Sequence, residues 1–241
     1  DDLALFNSCA SGFWMTKLPY MGQLDFFHVD RRPPASRRRM MRFYKECVRR
    51  QLYLNGRGLI HLSKNPTWSG RVETLLEVFP DARFVVLYRN PYETIPSLLK
   101  LLQVGWKMQG NLSAERIHES TRVMTDLSYE TYLYPREVLQ RHPETPCATI
   151  DYRRLTTDPK GAIEAAYAAL GLDMTEAYRA FLAAEAARVR KHETEHRYSL
   201  AEFGLEDREI RHRLAPLFEA FQWDKDEPRS REAPTKENAH A

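Results

Sequence analysis

An arginine stands at the end of the apolar run "FVVLY", with Asn-Pro behind it and a serine eight residues further on, in "RNPYETIPS" from Arg89 to Ser97. A guanidinium offers a planar fork of N–H donors that matches the oxygens of a phosphate or sulfate ester, and a serine hydroxyl adds one directed donor. Pro91 suits the first turn of a helix, whose unpaired N–H groups and positive dipole end favour an anion. Pro96 cannot donate to the preceding turn, so this helix is expected to kink there or to begin near it. In either case Ser97 can fold back over the turn that carries Arg89. The alternative is an Arg89 paired with a surface carboxylate and a Ser97 that faces solvent. Lys64 follows the apolar run "GLIHLS" and precedes Asn65-Pro66, so its ammonium is placed to reach a cleft or to sit exposed at a strand end. Tyr152 closes "CATIDY" and reads as a nucleotide contact or as a core tyrosine.

These groups are carried by alternating strands and helices. Pro33 and Pro34 argue against regular helix there, and Ser36 is a good N-cap for a helix over 37–55 that Asn55-Gly56 ends. "GLIHLSK" (58–64), "RFVVLYR" (83–89) and "CATIDY" (147–152) read as three strands. Helices are expected within "SGRVETLLEVF", stopped by Pro80, then over about 92–104, 113–141, 158–170 with Gly171 as its stop, 174–191 and 206–221. Strands separated by helices predict an α/β fold, a parallel sheet with helices on both faces. In such sheets ligands sit beyond the carboxyl ends of the strands. The strand ends are Lys64, Arg89 and Asp151–Tyr152, two of them cationic, which points to an anionic ligand.

The 241 residues suffice for one sizeable domain, expected over 1–223, followed by a polar, disordered tail over 224–241. A formal charge of +3 gives no argument for nucleic acid. Cys9, Cys47 and Cys147 form no CxxC pair, so neither a disulfide framework nor a metal site is expected, and a reducing, cytoplasmic setting is. No apolar run approaches membrane-spanning length. The chain begins Asp-Asp rather than with methionine, which reads as a fragment or a trimmed N-terminus.

"FPDARFVVLYRNPYETIPSLL" resembles the 3′-phosphate-binding segment of sulfotransferases that use 3′-phosphoadenosine 5′-phosphosulfate (PAPS), in which an arginine ends a strand and a serine follows eight positions later. "HLSKNPTWSGRVETLLEVFPDA" is similar to the K-x-P block of the bacterial-type branch. "TIDYRRLTTDPKGAIEAAYAALGLD" is similar to its Y-E-D-L…D-P…L-G-L block, and "HRYSLAEFGLEDREIRHRLAPLFEAFQW" to its carboxyl-terminal ending. These blocks cover roughly 58–223 in the family's order. The resemblance implies a P-loop-NTPase-like three-layer fold and transfer of a sulfuryl group from PAPS, without a metal, to a hydroxyl or amine. It implies that Arg89 and Ser97 hold the 3′-phosphate, that Tyr152 contacts the adenine side, and that Lys64 acts catalytically near the sulfuryl group.

Three features depart from the family. None of the ten glycines forms the sulfate-side phosphate loop and no GxxxxGK[ST] occurs, so the first strand and that loop are expected to be absent. Arg153 and Arg154 replace the acids of Y-E-D-L, and "KNPTW" stands where the cytosolic branch has K-T-H with a histidine base. Candidate bases are Asp1, Asp2, Asp25, His28 and His61, the last read first as a core histidine. Arg190, Lys191, His196, Arg197 and Tyr198 form a late basic cluster, read as a solvated helix end or a phosphate contact. Arg31, Arg32, Arg37, Arg38 and Arg39 form a connector or an acidic-headgroup contact. Phe13, Trp14, Tyr20, Phe26 and Phe27 line a lipid or sugar pocket or simply pack. The acceptor is expected to be a small molecule, lipid or carbohydrate. Competing readings are a nucleotide-phosphate binding module without transfer and a P-loop kinase relative, which the missing Walker lysine disfavours.

Overall fold

The computed structural model describes residues 19–225 apart from 24, 26, 57, 109, 111 and 190–198. The late basic cluster, Phe13, Trp14, Phe26, Asp1 and Asp2 therefore lie outside the described residues, as does the expected tail from 226 onward.

A short 3₁₀ turn, Val29–Arg31, leads into α1 (Pro34–Asn55). Pro34 opens α1 with Pro33 as its N-cap. The helix thus starts earlier than at Ser36, because a proline at the first helical position has no N–H to satisfy and a φ already suited to the helix. A 3₁₀ segment, Pro66–Arg71, runs into α2 (Val72–Val78), followed by β1 (Phe84–Tyr88), α3 (Pro91–Lys107), α4 (Ala114–Arg141) and β2 (Cys147–Asp151). Then come α5 (Tyr152–Thr157), α6 (Pro159–Ala169), α7 (Glu176–Val189), α8 (Asp207–Arg213), α9 (Ala215–Phe221) and a last 3₁₀ turn, Trp223–Lys225. Gly171 does stop α6, at a left-handed φ of 61°. The segment 206–221 is two helices, because Leu214 leaves helical geometry just ahead of Pro216. Pro96 lies inside an unbroken α3.

β1 and β2 pair in parallel, Tyr88 opposite Asp151 and Val86 opposite Thr149. Partners side by side share a face. Ala148 and Ile150 are covered by Ala162 and Ala166 of α6. On the other face, Val86 and Tyr88 join the main core of Ile95, Leu99 and Trp106 from α3 and Met124, Leu127 and Tyr132 from α4. Phe84 packs on Met41, Tyr44 and Leu75. Helices thus lie on both faces, as the alternating pattern predicts, although Val85 and Leu87 remain about half exposed.

The sheet differs from expectation in one respect. Residues 58–64 form no strand, and among the described residues the sheet has two strands rather than three. Leu59, Ile60 and Leu62 stand exposed at 67%, 66% and 88%. An extended apolar segment becomes a strand only where a neighbouring strand satisfies its N–H and C=O groups, and no described strand does so here.

Two tertiary devices frame the rim of the sheet. Asp30, its side chain 4% exposed, accepts from the backbone N–H groups of Glu73 and Thr74 at 3.0 and 2.9 Å and from the Tyr134 hydroxyl at 2.9 Å, so it fills the N-terminus of α2 from a distance. Gly70 allows the close approach of that turn to the Phe27 carbonyl, where a Cβ would come within 2.1 Å. At the other end of the chain, Trp223 is fully buried and Phe221 stacks on it at 4.9 Å, with Phe221 against Tyr88 and Trp223 against Tyr132. Asp224, assigned to the tail on composition, pairs with Arg211 at 2.7 Å.

Candidate functional site

At the carboxyl edge of the sheet, β1 and β2 each hand over to a helix within two residues. Asn90 caps α3, its side chain accepting from the Tyr92 N–H at 3.0 Å, and Asp151 caps α5 by accepting from the Arg153 N–H at 2.9 Å. Both caps are short polar side chains able to take an orphan N–H. Because Tyr88 is opposite Asp151, the next residues out, Arg89 and Tyr152, are brought side by side. The guanidinium lies 4.9 Å over the Tyr152 ring, a cation–π contact. The Tyr132 hydroxyl of α4 donates to the Arg89 carbonyl at 2.8 Å, fixing the backbone from behind. Burial pushes the Tyr88 phenol up to about 12 and raises that of Tyr132 further, so both remain neutral hydrogen-bonding groups.

Arg89 also has a carboxylate partner. Its Nε and Nη2 both donate to Oε2 of Glu93, at 2.9 and 2.8 Å, with the two side chains 41% and 36% exposed. Ser97 follows one turn later on α3, on the face that Glu93 presents. It is half-buried, and among the described residues no hydrogen bond occupies its hydroxyl. Arg89 thus stands just ahead of the first turn of α3, with Glu93 and then Ser97 following at four-residue spacing along the helix.

Lys64 is carried by a different segment. It is exposed and lies in the extended segment before Pro66–Arg71. Its neighbour Ser63 accepts from the Trp68 indole N–H at 3.3 Å, which ties the segment to the α1–α2 side of the sheet. Asn65 caps the 3₁₀ turn through the Thr67 N–H. Arg153, one of the two departures from the acidic pattern, forks onto Asp151 and reaches the Phe221 carbonyl, binding the carboxyl-terminal segment to the rim. Arg154 donates to the Gly161 carbonyl.

The proposed bases separate in space. His28 is held between two carboxylates, Nδ1 2.8 Å from Asp25 and Nε2 2.7 Å from Glu130. Burial pushes the Asp25 carboxyl up, but the backbone N–H of His28, its imidazole and the N–H of Phe27 outweigh this and hold it below the usual range. Glu130 and Tyr132 are two residues apart on α4, roughly 200° around the helix, so His28 is on a different face of α4 from Arg89. His61 is half-buried in the extended segment before Lys64. Arg71, not singled out by the spacing of motifs, is wholly buried and donates from Nε to the Thr67 carbonyl at 3.0 Å. Among the described residues no group of three or more His, Cys, Asp or Glu is placed to hold a metal ion, and no helix is long and apolar enough to cross a membrane. A shallow surface groove lined by Leu139, Pro143, Cys147 and Gly171 lies at the opposite, amino end of β2, away from the rim.

Parallel strands between helices, with Arg89 at the carboxyl edge of β1, make this an α/β fold. A solved sulfotransferase of Mycobacterium avium, STF9, shares the fold at a TM-score of 0.70 and 20% identity, over 86% of this chain and 52% of that one. The chain belongs to the sulfotransferase family, whose model matches residues 15–176. It is 31% identical over 128 residues to the omega-hydroxy-beta-dihydromenaquinone-9 sulfotransferases Stf3 of Mycobacterium bovis and Mycobacterium tuberculosis. That stretch is 53% of this chain and 32% of those relatives, so the chain spans about a third of their length.

Proposed function

We propose that this chain supplies the 3′-phosphate side of a PAPS-dependent sulfotransferase, with a lipid-class hydroxyl as acceptor. The observation that carries the reading is Arg89: a guanidinium at the carboxyl end of β1, just ahead of α3, stacked on Tyr152, with Ser97 two turns further on carrying a hydroxyl that makes no hydrogen bond among the described residues. A phosphate dianion needs donors in that combination: a fork, a directed hydroxyl and a helix start. The residues present therefore fit the nucleotide's 3′-phosphate. Arg89 and Ser97 would hold it, and Tyr152, with one ring face under the guanidinium, would flank the nucleoside.

PAPS supplies the activated sulfuryl group. Its transfer parallels phosphoryl transfer, in which the protein contributes position and cations more than covalent chemistry. Lys64, an exposed ammonium in the extended segment before Pro66–Arg71, would, by the family resemblance, meet the charge that develops on the leaving phosphate. The lipid class of acceptor rests on the relatives, named for sulfating the hydroxyl of a menaquinone. Calorimetry against adenosine 3′,5′-bisphosphate and adenosine 5′-phosphate, with mass spectrometry of a long-chain alcohol incubated with PAPS, tests both halves. A preference for the bisphosphate with a sulfated product supports the reading. Equal affinity for the two nucleotides overturns it, and preference without product leaves a binding module.

A further inference from the structure

The Arg89–Glu93 pair poses a question that the nucleotide reading does not answer. A phosphate gripped by Arg89 and Ser97 would meet a carboxylate already seated on the guanidinium, on the same helix face as the serine. Two negative charges a few ångströms apart repel, weakly in water and several times more strongly at a partly buried surface. Glu93 and the phosphate cannot both keep Arg89's Nε and Nη2.

Nor is Glu93 needed to aim the guanidinium. The Tyr152 ring supports its face at 4.9 Å, and the Tyr132 hydroxyl holds the backbone of Arg89 at 2.8 Å. The Arg89–Glu93 pair is also easily broken: it is an i,i+4 pair with both side chains more than a third exposed, a class with little net contribution to stability. A carboxylate in this position is a stand-in anion, seated where the ligand's anion would go and weakly enough held to leave.

We infer that Glu93 is an internal competitor that tunes the affinity and exchange rate of the 3′-phosphate site. With no nucleotide it neutralises Arg89. A 3′-phosphate, carrying more charge and also taking the Ser97 hydroxyl, displaces it. On departure of the bisphosphate product, Glu93 returns to Arg89 and helps release it. This inference rests on the nucleotide reading proposed above, and the variants separate the two.

The experiment measures affinity and dissociation rate for adenosine 3′,5′-bisphosphate and for adenosine 5′-phosphate in the unaltered protein, Glu93→Gln, Glu93→Ala, Arg89→Ala and the Arg89→Ala/Glu93→Gln double variant. Glu93→Gln is expected to bind the bisphosphate roughly three- to tenfold tighter, with slower release, because the charge is gone and the shape is kept. Glu93→Ala should tighten it similarly, adenosine 5′-phosphate should change less than about twofold, and the gain should shrink in the double variant. Weaker bisphosphate binding by both Glu93 variants would make Glu93 a positioning residue and overturn the competitor role. Unchanged affinity would overturn it too. Loss of any 3′-phosphate preference in the unaltered protein, or its survival in Arg89→Ala, would overturn the nucleotide reading itself and this inference with it.

Discussion

Replacing Arg89 by alanine separates the ligand role of this residue from its structural one, because the two carry different magnitudes. On the structural side the change removes an exposed i,i+4 pair with Glu93 and a half-exposed cation–π contact with Tyr152. Those contribute about 0.3–0.5 and about 0.5–1 kcal/mol, so folding stability should fall by roughly 1 kcal/mol and Tm by about 2–4 °C. The Tyr132 hydrogen bond goes to the backbone carbonyl and survives the substitution. On the ligand side the change removes a charge-assisted contact to phosphate, about 1.5–3 kcal/mol, or roughly 10- to 150-fold in Kd. The assay is calorimetry with adenosine 3′,5′-bisphosphate and adenosine 5′-phosphate in parallel, beside a thermal melt of the same sample. The bisphosphate should weaken by that factor and the monophosphate hardly at all. If both weaken alike, or if Tm drops by more than about 8 °C, Arg89 is a structural residue and does not hold the 3′-phosphate.

Other substitutions test other parts of the molecule. Lys64→Ala in an active form of the protein should lower kcat far more than it raises KM for PAPS, since its contact strengthens as charge develops; a KM effect alone would remove Lys64 from catalysis. Asp30→Ala leaves the Glu73 and Thr74 N–H groups and the Tyr134 hydroxyl without their acceptor, and thermal melts should show a loss of about 2–4 kcal/mol, with a change below 1 counting against the capping role. Trp223→Ala empties a fully buried indole site between Phe221 and Tyr132 and should lose about 3–5 kcal/mol in denaturant titration; a surface-like value would show that the carboxyl-terminal segment does not close the core. His142 is raised above its ordinary 6.5 by hydrogen bonds to Glu73 and then Glu144. Its stabilising contribution is therefore complete below 6.5 and lost as pH rises through the elevated value, so Tm should decline over that window in the unaltered protein and flatten in His142→Gln. A decline of equal size in the variant would assign the pH dependence elsewhere.

Local chemistry determined much of this fold. The apolar run 84–88 and the Pro91 behind it announced β1 and the start of α3, because strand burial and proline geometry act within a few residues. The 3.6-residue spacing likewise set α1, α4 and α6 close to their observed limits. The pairing of Arg89 with Glu93 was legible as an i,i+4 spacing, although the motif drew attention to Ser97 instead.

What the sequence left open depended on contacts between distant segments. Residues 58–64 carry every local mark of a strand, yet strand identity belongs to a pair, and no described neighbour completes it. Tyr152 meets Arg89 only because β1 and β2 align Tyr88 with Asp151, a register chosen by which face of each strand the helices bury. His28 was a candidate base by residue type, and the packing of its turn on α4 placed it between Asp25 and Glu130, on another face from Arg89. Asp30 showed no motif at all, and its role as the cap of α2 exists only once residues more than forty positions apart are brought within 3 Å. Short-range sterics and hydrogen bonding are written residue by residue; register and the facing of helices minimise the exposed apolar area and unpaired polar groups of the whole chain at once, and only the folded molecule evaluates that sum.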